Sequence, residues 1–125
     1  MKKTLLLLAC LFSAALGTAA YAINWTPLLH NTPAERFTDD DMRMFAAAVN
    51  KALGETPDGQ TVSWENPATK ARGSIIVEQT GTRDGLLCKN IRISNEASNR
   101  KATQVLTLCQ EKSGEWTFAH PATKK

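Results

Sequence analysis

The sequence is poor in the residues from which catalytic and metal centres are usually built. It has two histidines, three cysteines and one tyrosine in 125 residues. The histidines, His30 and His120, lie in a linker and just before Pro121, with no cysteine or carboxylate at ligand spacing, so they make no zinc site. No Gly-x-Ser-x-Gly elbow, phosphate-binding glycine loop or His-Glu-x-x-His run is present, and no Cys-x-x-Cys pair suggests redox exchange. These absences argue against an enzyme and against a bound cofactor. Charge of one sign is also scarce, with 15 basic residues against 12 acidic. Nor is any apolar run close to the ~20 residues that a membrane-spanning helix needs.

The longest apolar run stands at the amino terminus and has a different meaning. Lys2 and Lys3 precede an almost wholly apolar stretch from Thr4 to Leu16, and Ala20-Tyr21-Ala22 supplies the small-x-small pattern of a cleavage site. Residues 1–22 therefore read as a secretory signal peptide, cut after Ala22. Leu7-Leu8-Ala9-Cys10 offers a rival, a lipoprotein box with Cys10 lipidated. It would shrink the apolar core to Thr4–Ala9, below the ~7 residues usual for such a core.

Cleavage after Ala22 leaves 13 basic residues against 12 acidic, a net charge of +1, because Lys2 and Lys3 go and no acid does. That balance gives no electrostatic case for nucleic acid as a partner; peripheral membrane association would need some other source of affinity. Cys10 also leaves, so Cys88 and Cys109 remain as an even pair in an oxidising compartment and are expected to form a disulfide.

The exported chain divides into an arm over 23–37, a domain over 38–120 and a basic tail over 121–125. The arm has two prolines and no period, yet Trp25, Leu28 and Leu29 make it more apolar than a solvated tail. Covering an edge of the core is its expected role; binding a partner through those three side chains is the alternative.

Thr38 to Leu53 is the clearest helix. Thr38 caps it, Asp41 completes a capping pair, and Phe37 with Met42 fits a hydrophobic staple. Asp39, Asp40 and Asp41 suit the positive end of the helix dipole. Met42, Phe45, Ala46, Val49, Ala52 and Leu53 recur at helical spacing as one apolar stripe, and Gly54 is the expected stop. Five short strands follow, at 61–64, 73–80, 86–94, 103–110 and 115–119, separated by Gly, Pro, Asn and Ser turns. The fold expected is α+β, one amphipathic helix on a five-stranded antiparallel meander.

The cysteines test the third and fourth strands. If Cys88 opposes Cys109, antiparallel pairing sets Asn90 against Thr107, Ile91 against Leu106 and Arg92 against Val105, with the turn at Ser98-Asn99. Ile91, Ile93, Leu106 and Leu108 then share one apolar face. A slightly offset pairing would ease the geometry of a direct cross-strand bridge. Trp64 and Trp116 border turns and are expected to fill the core rather than serve as a platform.

An ordered set of short motifs runs from Thr38 to Phe118: Trp64-Glu65-Asn66-Pro67, Gly73, Gly85-Leu86-Leu87-Cys88, Cys109 and Gly114-Glu115-Trp116. In order and spacing it resembles the carboxy-terminal domain of the bacterial seventeen-kilodalton surface antigen family. The chain departs from the family pattern at Lys89 and Gln110, where arginine tends to follow each cysteine, and at Lys70, where glycine is common. The resemblance implies a small β-rich envelope domain with no catalytic residues. A non-enzymatic exported envelope protein, periplasmic or associated with the outer membrane, is thus the expected function, with a protein or envelope component as partner. A periplasmic inhibitor or accessory subunit, docking on one partner through an open strand edge or through Trp25, Leu28 and Leu29, is the alternative.

Overall fold

A computed structural model describes residues 23–25 and 29–119. A 3₁₀ turn, Pro33–Arg36, precedes helix α1, Asp39–Glu55. Strands β1 (Thr61–Glu65), β2 (Arg72–Arg83), β3 (Leu86–Ala97), β4 (Arg100–Gln110) and β5 (Trp116–Phe118) follow. They form one antiparallel sheet in the order β1-β2-β3-β4-β5, the expected meander with one helix. No helix among the described residues is long and apolar enough to cross a membrane.

The start of α1 follows the capping chemistry of the sequence. The Thr38 hydroxyl accepts the Asp41 N–H at 3.1 Å, and the Asp41 carboxylate accepts the Thr38 N–H at 3.0 Å. Its end does not. The helix runs through Gly54 to Glu55, so Gly54 is not the stop. The last carbonyls find other donors: the Thr56 hydroxyl gives to Lys51 O at 3.0 Å, and Lys89 Nζ reaches from β3 to Leu53 O at 2.8 Å. A left-handed glycine is therefore not needed to cap it. Lys89 also brings a cation to the negative end of a helix whose own last turn has none.

Phe45, Ala48, Val49, Ala52 and Leu53 bury the helix face against Val62, Ile75, Val77, Ile91, Ile93 and Leu108 of the sheet. Met42 and Ala46, expected in the stripe, are only half-buried, and Ala48 takes a core place instead. Burying a side chain the size of Phe45, Val49 or Leu53 contributes about 1.5–3 kcal/mol. Phe37, Phe45 and Trp64 form an aromatic corner, with Phe37 edge-on to Trp64 at 5.2 Å. Trp64 fills the core and Trp116 packs half-buried against it.

The β3–β4 pairing has the register that the cysteines imply: Cys88 opposite Cys109, Asn90 opposite Thr107, Ile91 opposite Leu106 and Arg92 opposite Val105. Cys88 and Cys109 are disulfide-bonded with their Cα atoms 4.0 Å apart, directly opposed rather than offset. Ser98 and Asn99 both have positive φ, 50° and 63°. That is the backbone a two-residue turn needs to match the twist of its strands. The strands run longer than their apolar cores: β2 continues to Arg83, past a bulge between Val77 and Gln79, and β3 continues to Ala97. Backbone pairing extends the ladder into polar sequence that period-two alternation does not mark.

Candidate functional site

The helix covers one face of the sheet and leaves the other open. Side chains alternate across the pleat, so the strand residues that do not face α1 form this second surface. Its concave part is a trough of about 520 Å³ lined by Ser63, Glu65, Arg72, Ser74, Glu96 and Lys101, among others. Cross-strand pairing assembles it: Glu65 lies opposite Arg72, Arg72 opposite Glu96, and Glu96 opposite Lys101. Four charges of alternating sign therefore cross four strands in one row.

The row is tightly paired at its centre. Arg72 Nε donates to Glu96 Oε2 at 2.8 Å, and Lys101 Nζ stands 3.9 Å from the same oxygen. The hydrogen bond from Arg72 holds the Glu96 carboxyl below its ordinary pKa, and Glu96 raises that of Arg72. Beside the row, the hydroxyls of Ser94 and Thr103 lie 2.9 Å apart, and Arg92 pairs with Glu78. Such a surface can match a polar partner of mixed charge. It sets no nucleophile against a general base, and the described residues contain no group of three His, Cys, Asp or Glu that could hold a metal ion.

One end of the trough is fixed to the helix through a buried polar joint. Asp41, at the third position of α1, is 1% exposed. Its Oδ1 accepts Asn66 Nδ2 at 2.7 Å and the Thr69 hydroxyl at 2.7 Å. Burial alone would push this carboxyl up; the hydrogen bonds from Thr69, the Thr38 N–H and Asn66 outweigh it and hold the pKa below its ordinary value. Asn66 also organises the β1–β2 loop. Its N–H gives to Ala71 O at 2.8 Å, its carbonyl accepts Lys70 N at 2.8 Å, and its Oδ1 accepts Ala68 N at 3.1 Å. The loop closes with Lys70 at φ 64°, a left-handed conformation that costs a side-chain-bearing residue energy.

Gly73 follows as a packing requirement. It stands between Trp64 and Asn95 in the register. A Cβ there would come within 2.3 Å of Asn95 Oδ1, 2.6 Å of Trp64 Nε1 and 2.7 Å of Ser94 O. Those two side-chain atoms are buried without a hydrogen-bond partner among the described residues.

The residues singled out in the sequence are placed as follows. Cys88 and Cys109 are joined on the open face, beside Asn90 and Thr107, whose side chains are hydrogen-bonded at 2.7 Å. Trp25 is 9% exposed and packs edge-on against Phe45, at 4.8 Å, and Phe118, at 5.7 Å. Leu29 is half-buried, and Leu28 lies outside the described residues. His30 is exposed, 3.9 Å from Glu35, and His120 lies outside the described residues. Signal residues 1–22, Cys10 included, are likewise outside them. The β3–β4 register itself sets the cysteines on the more polar face with Asn90, Arg92, Thr103 and Thr107, whereas the row of charges across that face and the Asp41–Asn66 joint have no local signal in the sequence.

A family model described as 17 kDa outer membrane surface antigen matches residues 51–117, more than half of the chain. The match begins in the last turns of α1 and ends in β5. It takes in the whole Asn66 loop, Gly73, both cysteines and four complete strands. No curated protein and no solved structure matches the chain. On the strength of that match, the chain belongs to the 17 kDa outer membrane surface antigen family.

Proposed function

We infer that this chain is a non-enzymatic, exported protein of the cell envelope, held at the outer membrane or in the periplasm, and that it works by contact through its open sheet face. The observation that carries this reading is the family match across nearly the whole sheet, both cysteines included. The disulfide supports it, because such bonds persist in oxidising compartments outside the cytoplasm. The amino-terminal sequence supports it too, with its basic start, apolar run and Ala20-Tyr21-Ala22. The partner is a protein or envelope component recognised by alternating charges and hydroxyls, not a substrate to be turned over.

Docking as an inhibitor or accessory subunit, through an open strand edge or through Trp25, Leu28 and Leu29, is the second reading; the arm route would require Trp25 to leave Phe45 and Phe118. The open face needs no such rearrangement, which favours it as the working surface. The test is fractionation of native-host cells into cytoplasm, periplasm and outer membrane. The expected result is recovery in the periplasmic or outer-membrane fraction, with a partner crosslinked through lysines placed on the open face. Recovery in the cytoplasm, or crosslinking only through the helix face, would contradict the reading.

A further inference from the structure

Two concavities meet at the charged row, and the same three side chains, Glu65, Arg72 and Glu96, line both. The first is the trough already described, which crosses β1 to β4. The second, of about 570 Å³, lies between the Asn66 loop and the β3–β4 turn, with Lys70, Ser98 and Asn99 on its walls. The row is thus their common boundary. From β1 to β4 it spans three strand spacings, roughly 14 Å.

Each concavity is neutral as a whole. Glu65 and Glu96 are balanced by Arg72 and Lys101 in the first, and by Arg72 and Lys70 in the second. At the centre the pairing is already made, with Arg72 Nε on Glu96 Oε2 at 2.8 Å. An anion brought to Arg72 or Lys101 would stand beside Glu96, and a cation brought to Glu96 would stand beside Arg72 and Lys101. Either gains little from a site whose charges are engaged with one another.

The walls are also poor in apolar anchors. Among the described residues the exposed large apolar side chains are Leu87 and Val105, and neither lines either concavity. Trp64 borders the trough but is only 7% exposed. Protein interfaces draw much of their affinity from aromatic or aliphatic anchors buried at the centre, and the walls present none. They present hydrogen bonding of every kind instead. Glu65 and Glu96 accept, Arg72 and Lys101 donate, and the hydroxyls of Ser63 and Ser74 do both.

We propose that the two concavities bind an uncharged oligosaccharide, laid across the row from β1 to β4. This rests on the open face being the working surface, and it narrows the envelope component which that face meets. A sugar hydroxyl donates and accepts at once. Neighbouring hydroxyls on one ring can therefore give to a carboxylate and take from the adjacent cation without breaking the pair between them. An anion can only accept, and an ammonium can only donate. The row suits a chain better than a single sugar, because its donors and acceptors are spread over four strands. The Arg72–Glu96 pair is fixed beforehand, so little side-chain ordering opposes binding.

Chemical-shift titration of the exported, disulfide-intact protein tests this, with maltotetraose, cellotetraose and the N-acetylglucosamine tetramer as neutral probes. At least one should give saturable shifts, in about the millimolar range, at Ser74, Ser94, Glu96 and their neighbours in the two concavities. Raising the salt should leave its dissociation constant unchanged within about twofold, because no ion pair forms with the ligand. Ser94→Leu fills the trough and removes a hydroxyl, and should weaken binding about tenfold or more. Glu65→Ala, at an exposed position that the fold tolerates, should weaken it several-fold, and Val105→Thr, outside both concavities, should leave it unchanged. No response to any of the tetrasaccharides, or shifts that fall elsewhere on the domain, overturns the proposal. A peptide of alternating Lys and Glu that shifts these residues when no saccharide does overturns it too, while leaving the open face as the working surface.

Discussion

Asn66 Nδ2 donates to Asp41 Oδ1 at 2.7 Å, joining the first turn of the helix to the loop between the first two strands. The two residues are 25 positions apart, and each has a local task as well: Asp41 completes the helix cap and Asn66 shapes its own turn. One buried contact thereby sets the helix against the end of the sheet where the charged row lies.

Asn66→Ala should destabilise the domain by about 1.5–3 kcal/mol, the usual range for a hydrogen bond to a charged group. Urea unfolding of the two proteins measures the difference. A loss well under 1 kcal/mol would mean that Thr69 and Thr38 suffice to satisfy the Asp41 carboxylate.

Asp41 also predicts a pH dependence. Its folded-state pKa is lowered, so its contribution is fully present above the unfolded carboxyl value of about 3.9 and is lost as pH falls through the lower folded value. Below about pH 4 the wild type should lose stability with falling pH more steeply than Asp41→Asn, which has no carboxyl to protonate. Urea midpoints at several pH values between about 2 and 6 compare the two slopes. Parallel slopes would remove Asp41 from the account of acid stability.

Two positions in the same region should respond oppositely to small changes. Lys70→Gly relieves a left-handed residue at φ 64° and should stabilise by about 1 kcal/mol, raising Tm by a few degrees. Gly73→Ala forces a Cβ against Asn95 Oδ1 and the Ser94 carbonyl and should destabilise by about 1–3 kcal/mol. Calorimetry of both variants checks the signs. A stabilised Gly73→Ala would show that the strands around Trp64 yield more easily than their packing implies.

Replacing either Cys88 or Cys109 by serine should cost about 2–4 kcal/mol while leaving the meander intact. The measurement is denaturant unfolding of each variant beside the reduced wild type. All three should agree, because each opens the same loop between residues 88 and 109. Unchanged midpoints would mean that the bridge does not stabilise the domain.

Much of this fold is written locally in the chain. The sum of opposed residue numbers, fixed by the two cysteines, correctly aligns β3 with β4 down to the Ser98-Asn99 turn, because an antiparallel register with one apolar face tolerates no slip. The Thr38–Asp41 cap is equally local. What escapes the sequence is the second use of the same residues. Asn66 before Pro67 reads as a turn former, and only the packed fold brings it to Asp41. Lys89 reads as a polar strand residue, and only the position of α1 shows it capping Leu53 O; that same contact explains why Gly54 does not end the helix. The row of charges on the open face is harder still, since an exposed charge is the default for a strand and becomes informative only when its neighbours across four strands are known.

The most direct test of an exported, disulfide-bonded domain is the intact mass of the protein recovered from native-host envelope fractions, with and without reductant. The account predicts a chain from Ile23 to Lys125, lighter than its sequence mass by two hydrogens and regaining them on reduction. An unprocessed chain beginning at Met1 with both thiols free, or one beginning at a lipidated Cys10, would contradict it.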